Sequence, residues 1–571
     1  MSNSTGEAGK RLLFSRREWL GNLALPATGA VIAASLLDEK QAIAAPSKPT
    51  VSDDDLGARV YNIRSYGAKG DKTTVDTAAV QAAIDACARD GGGTVLVPAG
   101  TFMIGTVELK SNVTLHIAAS GTLLGSADGK QYHAVDAIPL HGDTTLNDGN
   151  WALLFAVKAR NVSIEGPGTI DGQGTQFHPA VRGELPPSGL GGNKRPYHVL
   201  IYQCENFSVR NISLIDCAYH SIRIIESQRI FLDGIYIHNR VNGNNDGFHF
   251  ISAEQVRLSN CTVKSGDDAC AMFGSCRYIT ITNSYFSTRW SVFRFGGGDA
   301  GDIAVSNCVL KEVYGCPFKF QGDPGSHFEN ISFSNIVLDD VTGPISISVG
   351  GRLPAPNEKS PVIVRNISFS NIRGSVTTSP PPDLSEGTLK VGLRSGEGHS
   401  AIVLNNVNDS ILENISFDNV HLVFGGGGTA EEGARRDVPE VFGEYFRLGP
   451  IPAYGLFARN VRGVTMQNVR FEVSTPELRP AVIFDHVEDA ALYGFNVQSN
   501  PQAESVLRFI GTKQALITAA RVLSPASTFL QIEGANNEGI IVEGGDLSKA
   551  SSVVAFKSGA SEMAVKLRNL P

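Results

Sequence analysis

The sequence lacks an excess of basic residues, a long apolar run and any long charged run. Its 49 lysines and arginines are outnumbered by 57 aspartates and glutamates, which gives a formal net charge of −8. Because phosphate binding needs a basic surface, nucleic acid is excluded as the expected partner. An acidic ligand stays open, since a local basic patch can form on an acidic protein. With 42% hydrophobic and 19% charged residues, the composition is that of an ordinary globular protein.

Cysteine is scarce, and its spacing excludes the usual zinc sites. Six of the eight cysteines lie between Cys217 and Cys316, and no pair has zinc-finger spacing. Cys261 and Cys308 each follow Ser-Asn in a strand-like segment, which indicates apolar packing. One or two disulfides remain open, and the sequence does not pair them. We expect neither a metal ion nor another cofactor.

The first 44 residues contain the three parts of an export signal in order. Ser15-Arg16-Arg17-Glu18-Trp19-Leu20 has paired arginines, a weakly apolar stretch follows, and Ala42-Ile43-Ala44 supplies small residues for cleavage. The apolar stretch is too short for a stable membrane span. The segment resembles a bacterial twin-arginine signal, and the alternative is a chance Arg-Arg before a core helix. We expect residues 1–44 to be this signal, residues 45–60 to be a linker, and the mature protein to be periplasmic or secreted, with no membrane contact.

A capping segment is predicted at residues 61–110. An amphipathic helix is expected from Thr77 to Ala88 with Asp76 as its N-cap, and Gly91-Gly92-Gly93 ends it. Val95-Leu96-Val97-Pro98 then reads as a short buried strand. This block resembles the N-terminal cap of pectin-degrading β-helix proteins and of phage tailspikes, so it indicates a fold more than a function.

Short strands of similar pattern recur along the rest of the chain, at intervals of 23 to 28 residues, the length of one coil of a parallel β-helix. They begin at Phe207, Ile230, Val256, Ile279, Ile303 and Ile331. Inward and outward side chains alternate within each strand, and a recurrent asparagine suits a left-handed turn whose stacked copies can bond to each other. The absence of hairpin signals disfavours a β-sandwich, and a propeller blade would take about 40–45 residues. We predict an all-β protein, a single-stranded right-handed parallel β-helix over residues 61–571, with loops near 375–397 and 425–453 overhanging a cleft.

Three aspartates lie one coil apart. Residues separated by one coil of a β-helix are stacked neighbours, about 4.8 Å apart along the axis. Asp246 and the pair Asp267-Asp268 should therefore be close together on one face. Three adjacent carboxylates repel each other, which a fold alone rarely requires. Glycosidic hydrolysis does use such a set, because one carboxylic acid protonates the leaving oxygen while a carboxylate activates water or attacks the sugar. Calcium binding or polar turn residues are the alternatives.

The motifs around these aspartates resemble those of one enzyme family. Asn245-Asp246-Gly247-Phe248 and Gly266-Asp267-Asp268 are similar to the Asn-Thr-Asp-Gly and Gly-Asp-Asp motifs of glycoside hydrolase family 28, the polygalacturonases, with a pectin-lyase-like fold. The resemblance covers roughly residues 61–349. It implies an inverting mechanism in which Asp267 is the general acid, and Asp246 and Asp268 activate water.

A column of outward side chains runs beside the aspartates. The central residues of six successive strands form it: Arg223, His249, Ala271, Arg294, Lys319 and Ser346. Four of the six are cationic or can become so, which predicts a track that holds the carboxylate of an acidic sugar, although solvated strand faces also carry such residues. The predicted substrate-binding residues are His220, Arg223, His249, Arg289, Trp290, Arg294 and Lys319.

The substrate-binding motifs depart from the family pattern. Thr288-Arg289-Trp290-Ser291 stands where the family has Gly-His-Gly, Lys319-Phe320-Gln321 replaces Arg-Ile-Lys, and His249 replaces an aspartate. We therefore expect a monomeric hydrolase of a pectic or other uronic-acid-containing glycan with altered specificity. The alternatives are a polysaccharide lyase or uronate epimerase, in which Arg289, Arg294 or Lys319 would be the base, and a non-catalytic glycan-binding β-helix.

Overall fold

The computed structural model describes residues 58–138, 149–180, 183–350, 361–379, 393–407 and 410–569. The predicted export signal, most of the predicted linker and residues 380–392 of the first predicted insertion lie outside this part of the chain. None of the helices in the described ranges has the length and apolar character that a membrane crossing requires.

The chain winds into three faces of parallel strands. The first face consists of Val60–Asn62, Gly93–Val97, Val113–Ile117, Arg160–Glu165, Glu205–Arg210, Gln228–Asp233, Glu254–Ser259, Arg277–Thr282, Ile411–Asp418, Arg462–Gln467, Glu488–Tyr493, Lys513–Thr518, Ile540–Glu543 and Val565–Arg568. The second consists of Asp71–Val75, Gly100–Ile104, Gly121–Gly125, Thr169–Asp171, Ser213–Ile215, Tyr236–Asn239, Thr262–Ser265, Tyr285–Thr288, His421–Phe424, Arg470–Val473, Asn496–Val497 and Arg521–Val522. Three long strands run through both faces: Asp299–Val313, His327–Val341 and Ile363–Val376.

The third face forms a separate 15-stranded sheet. Its strands are Val107–Glu108, Ala152–Val157, Tyr197–Tyr202, Ile222–Ile225, Phe248–Ile251, Cys270–Phe273, Ser291–Gly297, Cys316–Phe320, Ile345–Val349, Ile402–Asn406, Leu456–Arg459, Val482–Asp485, Leu507–Ile510, Ala526–Glu533 and Ala550–Lys557. Since every pairing between these strands is parallel and each partner lies one coil away, the predicted right-handed parallel β-helix is confirmed.

The predicted coil register is also confirmed. Phe207 pairs with Ile230, Ile230 with Val256, and Ile303 with Ile331. The inward residues of these strands form one continuous core, in which side chains of the same kind lie over each other. Phe333 stacks on Phe369 with ring centroids 5.2 Å apart and an interplanar angle of 8°. Identical residues recur because each coil presents the same inward position to its neighbour.

Asparagine ladders at the turns stabilise the stack of coils, as the sequence predicted. Asn307, Asn335, Asn371, Asn419 and Asn468 are all in the left-handed region, with φ between 49° and 55°. In this ladder each side-chain amide donates to the carbonyl oxygen of the asparagine one coil earlier, at 2.7 to 3.1 Å. Asparagine is favoured there because it tolerates this conformation and supplies both a donor and an acceptor.

The capping helix spans Thr77–Arg89 and buries Val80, Ile84 and Cys87, as predicted. Asp76 is the residue before the helix, but its carboxylate accepts the backbone N–H groups of Lys69 and Gly70 at 2.7 and 2.9 Å instead of capping the helix. The other helical segments are the α-helix Ala430–Ala434 and the 3₁₀ turns Ile63–Tyr66, Gly129–Gln131, Gly174–Phe177, Tyr445–Leu448 and Glu562–Ala564. All eight cysteines lie in the described ranges, where they are buried and form no disulfide. The one or two disulfides that the sequence left open are therefore absent from the described residues.

Candidate active site

A cleft of about 340 Å³ lies on the third face and extends from the turns before its strands to the ends of those strands. Its lining side chains are His220, Asn244, Asp246, His249, Asp267, Asp268, Phe273, Trp290, Arg294, Gln321 and Glu444. All three aspartates of the predicted catalytic set are among them, and so are four of the seven predicted binding residues. The cleft therefore brings together the three aspartates that the coil spacing predicted to be close to each other.

A larger hollow of about 520 Å³ lies along the turns between the third and first faces. Its carboxyl groups are those of Glu205, Glu226 and Glu254. Glu205 forms ion pairs with Arg160 at 3.1 Å and with Arg229, and Glu226 accepts from the amide of Gln203 at 2.9 Å. None of the three belongs to the sequence motifs identified above. We therefore place the candidate site in the smaller cleft.

Stacking of coils brings Asp246 beside the aspartate pair. The backbone N–H of Gly247 donates to the carbonyl of Asp268 at 2.9 Å, and Phe248 pairs with Cys270 in register. A Cβ atom at Gly247 would lie 2.5 Å from the carbonyl oxygen of Ala269. Glycine after Asp246 is thus required by the close approach of two coils.

Asn245 holds the turn that presents Asp246. Its side-chain oxygen accepts the backbone N–H groups of Val241 and Asn242 at 2.9 and 2.5 Å. Its amide donates to the carbonyls of Cys217 and Tyr219 at 3.0 and 2.8 Å. Since Asn245 is fully buried, its place in the sequence motif has a structural cause: its side chain makes hydrogen bonds to four backbone groups of the surrounding turns.

Asp267 has the environment of a carboxylic acid that keeps its proton. Burial at the cleft floor, followed by the charges of Asp246 and Asp268, raises the pKa of Asp267 well above its usual value. The ammonium of Lys319 and the backbone N–H of Asp268, which donates to Asp267 at 2.9 Å, oppose this shift without reversing it. Such a group can donate a proton near neutral pH.

Asp268 is held in a different way from its neighbour. Its Oδ1 accepts the backbone N–H of Ser291 at 3.3 Å and also the Ser291 hydroxyl. Its Oδ2 lies 3.7 Å from Nε of Arg294. The two carboxyl oxygens of Asp268 thus have different partners, Ser291 on one side and Arg294 on the other.

Two histidines lie against Asp246. Nδ1 of His249 is 2.7 Å from Nδ1 of His220, and Asp246 oxygens lie 3.3 Å from His249 and 3.7 Å from His220. Burial, then the proximity of His249, Arg223 and Arg195, lowers the pKa of His220 well below its usual value, so this imidazole is neutral.

Among the described residues, His220, Asp246 and His249 form a group whose ligand atoms are close enough together to hold a metal ion. Two nitrogens bound to one zinc ion at about 2.0–2.1 Å in a tetrahedron would lie roughly 3.4 Å apart. The observed 2.7 Å between the two Nδ1 atoms fits an N–H···N hydrogen bond better. This geometry favours a polar network that orients Asp246.

The strands that carry the cationic track pair in the predicted register, but fewer of its side chains reach the cleft than predicted. Arg223 pairs with His249 and Arg294 pairs with Lys319 along the third face. Of these four, His249 and Arg294 line the cleft, as do His220 and Trp290. The Trp290 ring already has the guanidinium of Arg394 at 4.0 Å and Nζ of Lys319 at 4.9 Å from its centroid.

Three of the predicted binding residues do not line the cleft. Arg223 is buried and donates to the hydroxyl of Tyr197 at 2.7 Å, so its guanidinium supports a neighbouring ring. Arg289 is buried on the side of Tyr314, one coil on. Lys319 is 1% exposed and donates to Oε1 of Glu444 at 2.9 Å. The sequence predicted that these three side chains contact the substrate directly. In the structure they are buried beneath other side chains.

Four residues that line the cleft were not predicted: Asn244, Phe273, Gln321 and Glu444. Asn244 and Gln321 adjoin motifs that the sequence marked, and Phe273 ends a predicted strand. Glu444 comes from the second predicted insertion, 125 residues beyond Lys319. The interrupted repeat predicts the position of that insertion, but it does not predict the contact between Glu444 and Lys319.

Comparisons with known proteins show the family and the fold that this chain shares with its relatives. Residues 87–388, just over half of the chain, match the family model of glycosyl hydrolases family 28. An exo-poly-alpha-D-galacturonosidase of Dickeya chrysanthemi is 25% identical over 63% of this chain and 71% of its own. Among solved structures, the family 28 exopolygalacturonase of Yersinia enterocolitica has a TM-score of 0.57 at 19% identity, covering 76% of this chain and 78% of its own. A hyperthermoactive exopolygalacturonase of Thermotoga maritima has a TM-score of 0.55 at 18% identity, covering 72% and 92%.

Proposed function

The chain belongs to glycosyl hydrolases family 28, and from this premise we propose that it hydrolyses pectic glycans with Asp267 as general acid. The enzyme class, a glycoside hydrolase, follows from the family. The finer assignment depends on one observation: three carboxyl groups share a cleft, and their surroundings push one of them toward the protonated form. Pairs of carboxyls with separated pKa values are the arrangement that glycosidic cleavage uses.

Asp267 would protonate the glycosidic oxygen as the bond to the leaving sugar breaks. Its raised pKa supports this role, because a group that is already ionised has no proton to give. Asp246 and Asp268 would act as the base pair that activates a water molecule. The donors of Ser291 and the guanidinium of Arg294 hold the carboxyl group of Asp268 in place, and the two histidines orient Asp246.

The proposed stereochemical outcome is inversion. In an inverting enzyme the base removes a proton from water on the face of the sugar opposite the acid, so water enters as the leaving group departs. Two carboxylates adjacent to Asp267 support this reading, because one can activate water while the other balances the charge of Arg294. The resemblance of Asp246 and Asp267-Asp268 to the family motifs points the same way.

The proposed substrate is a pectic polysaccharide or oligosaccharide, encountered outside the cytoplasm. Relatives named as polygalacturonases and galacturonosidases support a uronic-acid-containing polymer. Residues 1–44 support export by the twin-arginine route, on the grounds of sequence alone. Insertions beside the cleft, from which Glu444 and Arg394 reach Lys319 and Trp290, support cleavage near a chain end.

Product analysis on a panel of pectic glycans tests this function. The expected result is new reducing ends of inverted anomeric configuration, seen by proton NMR in the first minutes of reaction. Unsaturated products with the ultraviolet absorbance of a lyase product would overturn the hydrolase assignment. Binding of glycans with no product from any of them would favour a binding protein instead.

A further inference from the structure

Glu444 places a carboxylate where the family resemblance led us to expect a free cation. Its Oε1 lies 2.9 Å from Nζ of Lys319 and 4.0 Å from Nη1 of Arg294. Glu444 lines the cleft together with Asp267 and Asp268, and it lies beyond the family match, which ends at residue 388. Family membership therefore does not account for this residue.

The cations at this end of the cleft are already neutralised. Lys319 is buried under Glu444, and Arg294 lies between Glu444 and Asp268, at 4.0 and 3.7 Å. The partners of these two cations are thus the carboxyl groups of Glu444 and Asp268. Neither Lys319 nor Arg294 is available, without a carboxyl group beside it, to a negatively charged sugar that enters here.

Glu444 is ionised in this setting. Burial is the largest single influence and would raise the pKa of its carboxyl, but the charge and hydrogen bond of Lys319, together with the guanidinium groups of Arg294 and Arg394, outweigh it. The pKa of Glu444 therefore lies below its usual value. A carboxyl group with this pKa carries its charge near neutral pH.

The segment that carries Glu444 is anchored to the third face of the β-helix. The residue before it, Gly443, donates its backbone N–H to the carbonyl of Ser348 at 3.1 Å. The residue after it, Tyr445, is fully buried in a cluster with Cys316 and Val403 of the third face. Displacing Glu444 would disturb this packing, so a substrate carboxylate cannot simply take its place.

We propose that Glu444 is a specificity-determining residue, which makes the subsite beside Asp267 select an uncharged sugar over a uronate. The inference rests on the proposed function for the chemistry and deepens it by defining the substrate class. The glycan is then one in which a neutral residue, or a uronate whose carboxyl is masked, adjoins the bond that is cleaved. Hydroxyl groups of such a sugar would accept from Arg294 and donate to Glu444 and Asp268.

Two matched oligosaccharides isolate the effect of charge. One is an oligogalacturonide and the other is the same oligomer with every carboxylate reduced to a hydroxymethyl group, so linkage and ring configuration are shared. Both are tested for hydrolysis and, by calorimetry, for binding to the full-length protein. The variant is Glu444→Gln, which keeps the shape and removes the charge, and the control is Glu440→Gln, an exposed residue of the same insertion.

The wild type should bind the uncharged oligomer at least tenfold more tightly than the oligogalacturonide. Glu444→Gln should narrow this ratio by at least tenfold, mainly through better binding of the acid, and Glu440→Gln should leave it unchanged. Equal or better binding of the oligogalacturonide by the wild type overturns the proposal, as does a failure of the uncharged oligomer to bind. An altered ratio without hydrolysis of any pectic glycan would instead reject the proposed function and keep the role of Glu444.

Discussion

The backbone N–H of Asp268 donates to the carboxyl of Asp267 at 2.9 Å, so two adjacent aspartates share one turn while their carboxyl groups meet different partners. Asp268 accepts from Ser291 and faces Arg294. Asp267 faces the charges of both other aspartates in a desolvated position. One turn of chain thus gives two neighbouring carboxyl groups different surroundings, as the proposed roles of acid and base require.

Asp267→Asn should lower turnover by at least about a hundredfold, the scale of lost general acid catalysis. The amide keeps the size of the carboxyl group and has no acidic proton to give to the leaving oxygen. Initial rates at substrate saturation measure the effect, and circular dichroism checks that the coils are intact. Near-normal turnover in a folded variant would remove Asp267 from the mechanism.

The high-pH limb of kcat/KM should lie well above the usual aspartate pKa near 3.8, because Asp267 must be protonated to act. Activity is then retained as the pH rises past that value and is lost only as the pH passes the raised pKa of Asp267. A pH profile on an uncharged substrate measures this without titrating the ligand. A descending limb at or below pH 3.8 would contradict the assignment of Asp267.

Asp267→Asn should also stabilise the protein, increasingly so as the pH rises. The pKa of Asp267 is raised in the folded state, so the folded protein holds this proton more tightly than the unfolded chain. The wild type therefore loses stability as the pH rises from near 3.8 through the raised pKa, and the variant does not. Thermal unfolding of both proteins as a function of pH measures this difference in stability. The series starts near pH 3, about one unit below the pKa of an aspartate in the unfolded chain. A difference in Tm that stays constant with pH would refute this coupling.

Lys319→Met should destabilise the protein by about 3–5 kcal/mol, the scale for removing one partner of a buried ion pair. The carboxylate of Glu444 would then lose the ammonium that most favours its charged form. Combining the change with Glu444→Gln should restore part of the loss, because no unpaired charge remains. Urea unfolding of the two single variants and the double variant gives the coupling. Purely additive losses would show that the pair contributes no coupling energy.

Asn245→Ala should lower the free energy of unfolding by about 3 kcal/mol or more, since a buried polar group that loses its partner costs about 1–3 kcal/mol and the variant removes four hydrogen bonds to backbone groups. Asn335→Gly is the matched control, because Asn335 belongs to an exposed ladder and glycine keeps its left-handed turn. Urea unfolding should separate the two variants clearly. Similar losses in both would mean that Asn245 is an ordinary turn residue.

Much of the fold could be predicted because a coil repeats its own pattern. The alternation within strands at Ile279 and Ile331, together with the spacing between coils, fixes which residues point inward and which strands pair. The cap helix was predicted to within one residue of its end at Arg89. The side-chain role of Asp76 was not, because its partners Lys69 and Gly70 lie in a turn whose path the helix pattern does not describe.

The sequence by itself determined the adjacency of Asp246, Asp267 and Asp268, because in a β-helix one coil of chain equals one step along the axis. The charge balance of the cleft was decided by the tertiary structure. Glu444 reaches Lys319 from an insertion 125 residues away, and Tyr197 covers Arg223 from the preceding coil. Repeat spacing sets the distances between coils, whereas the path of an insertion depends on the surface it packs against, and periodicity carries no information about that.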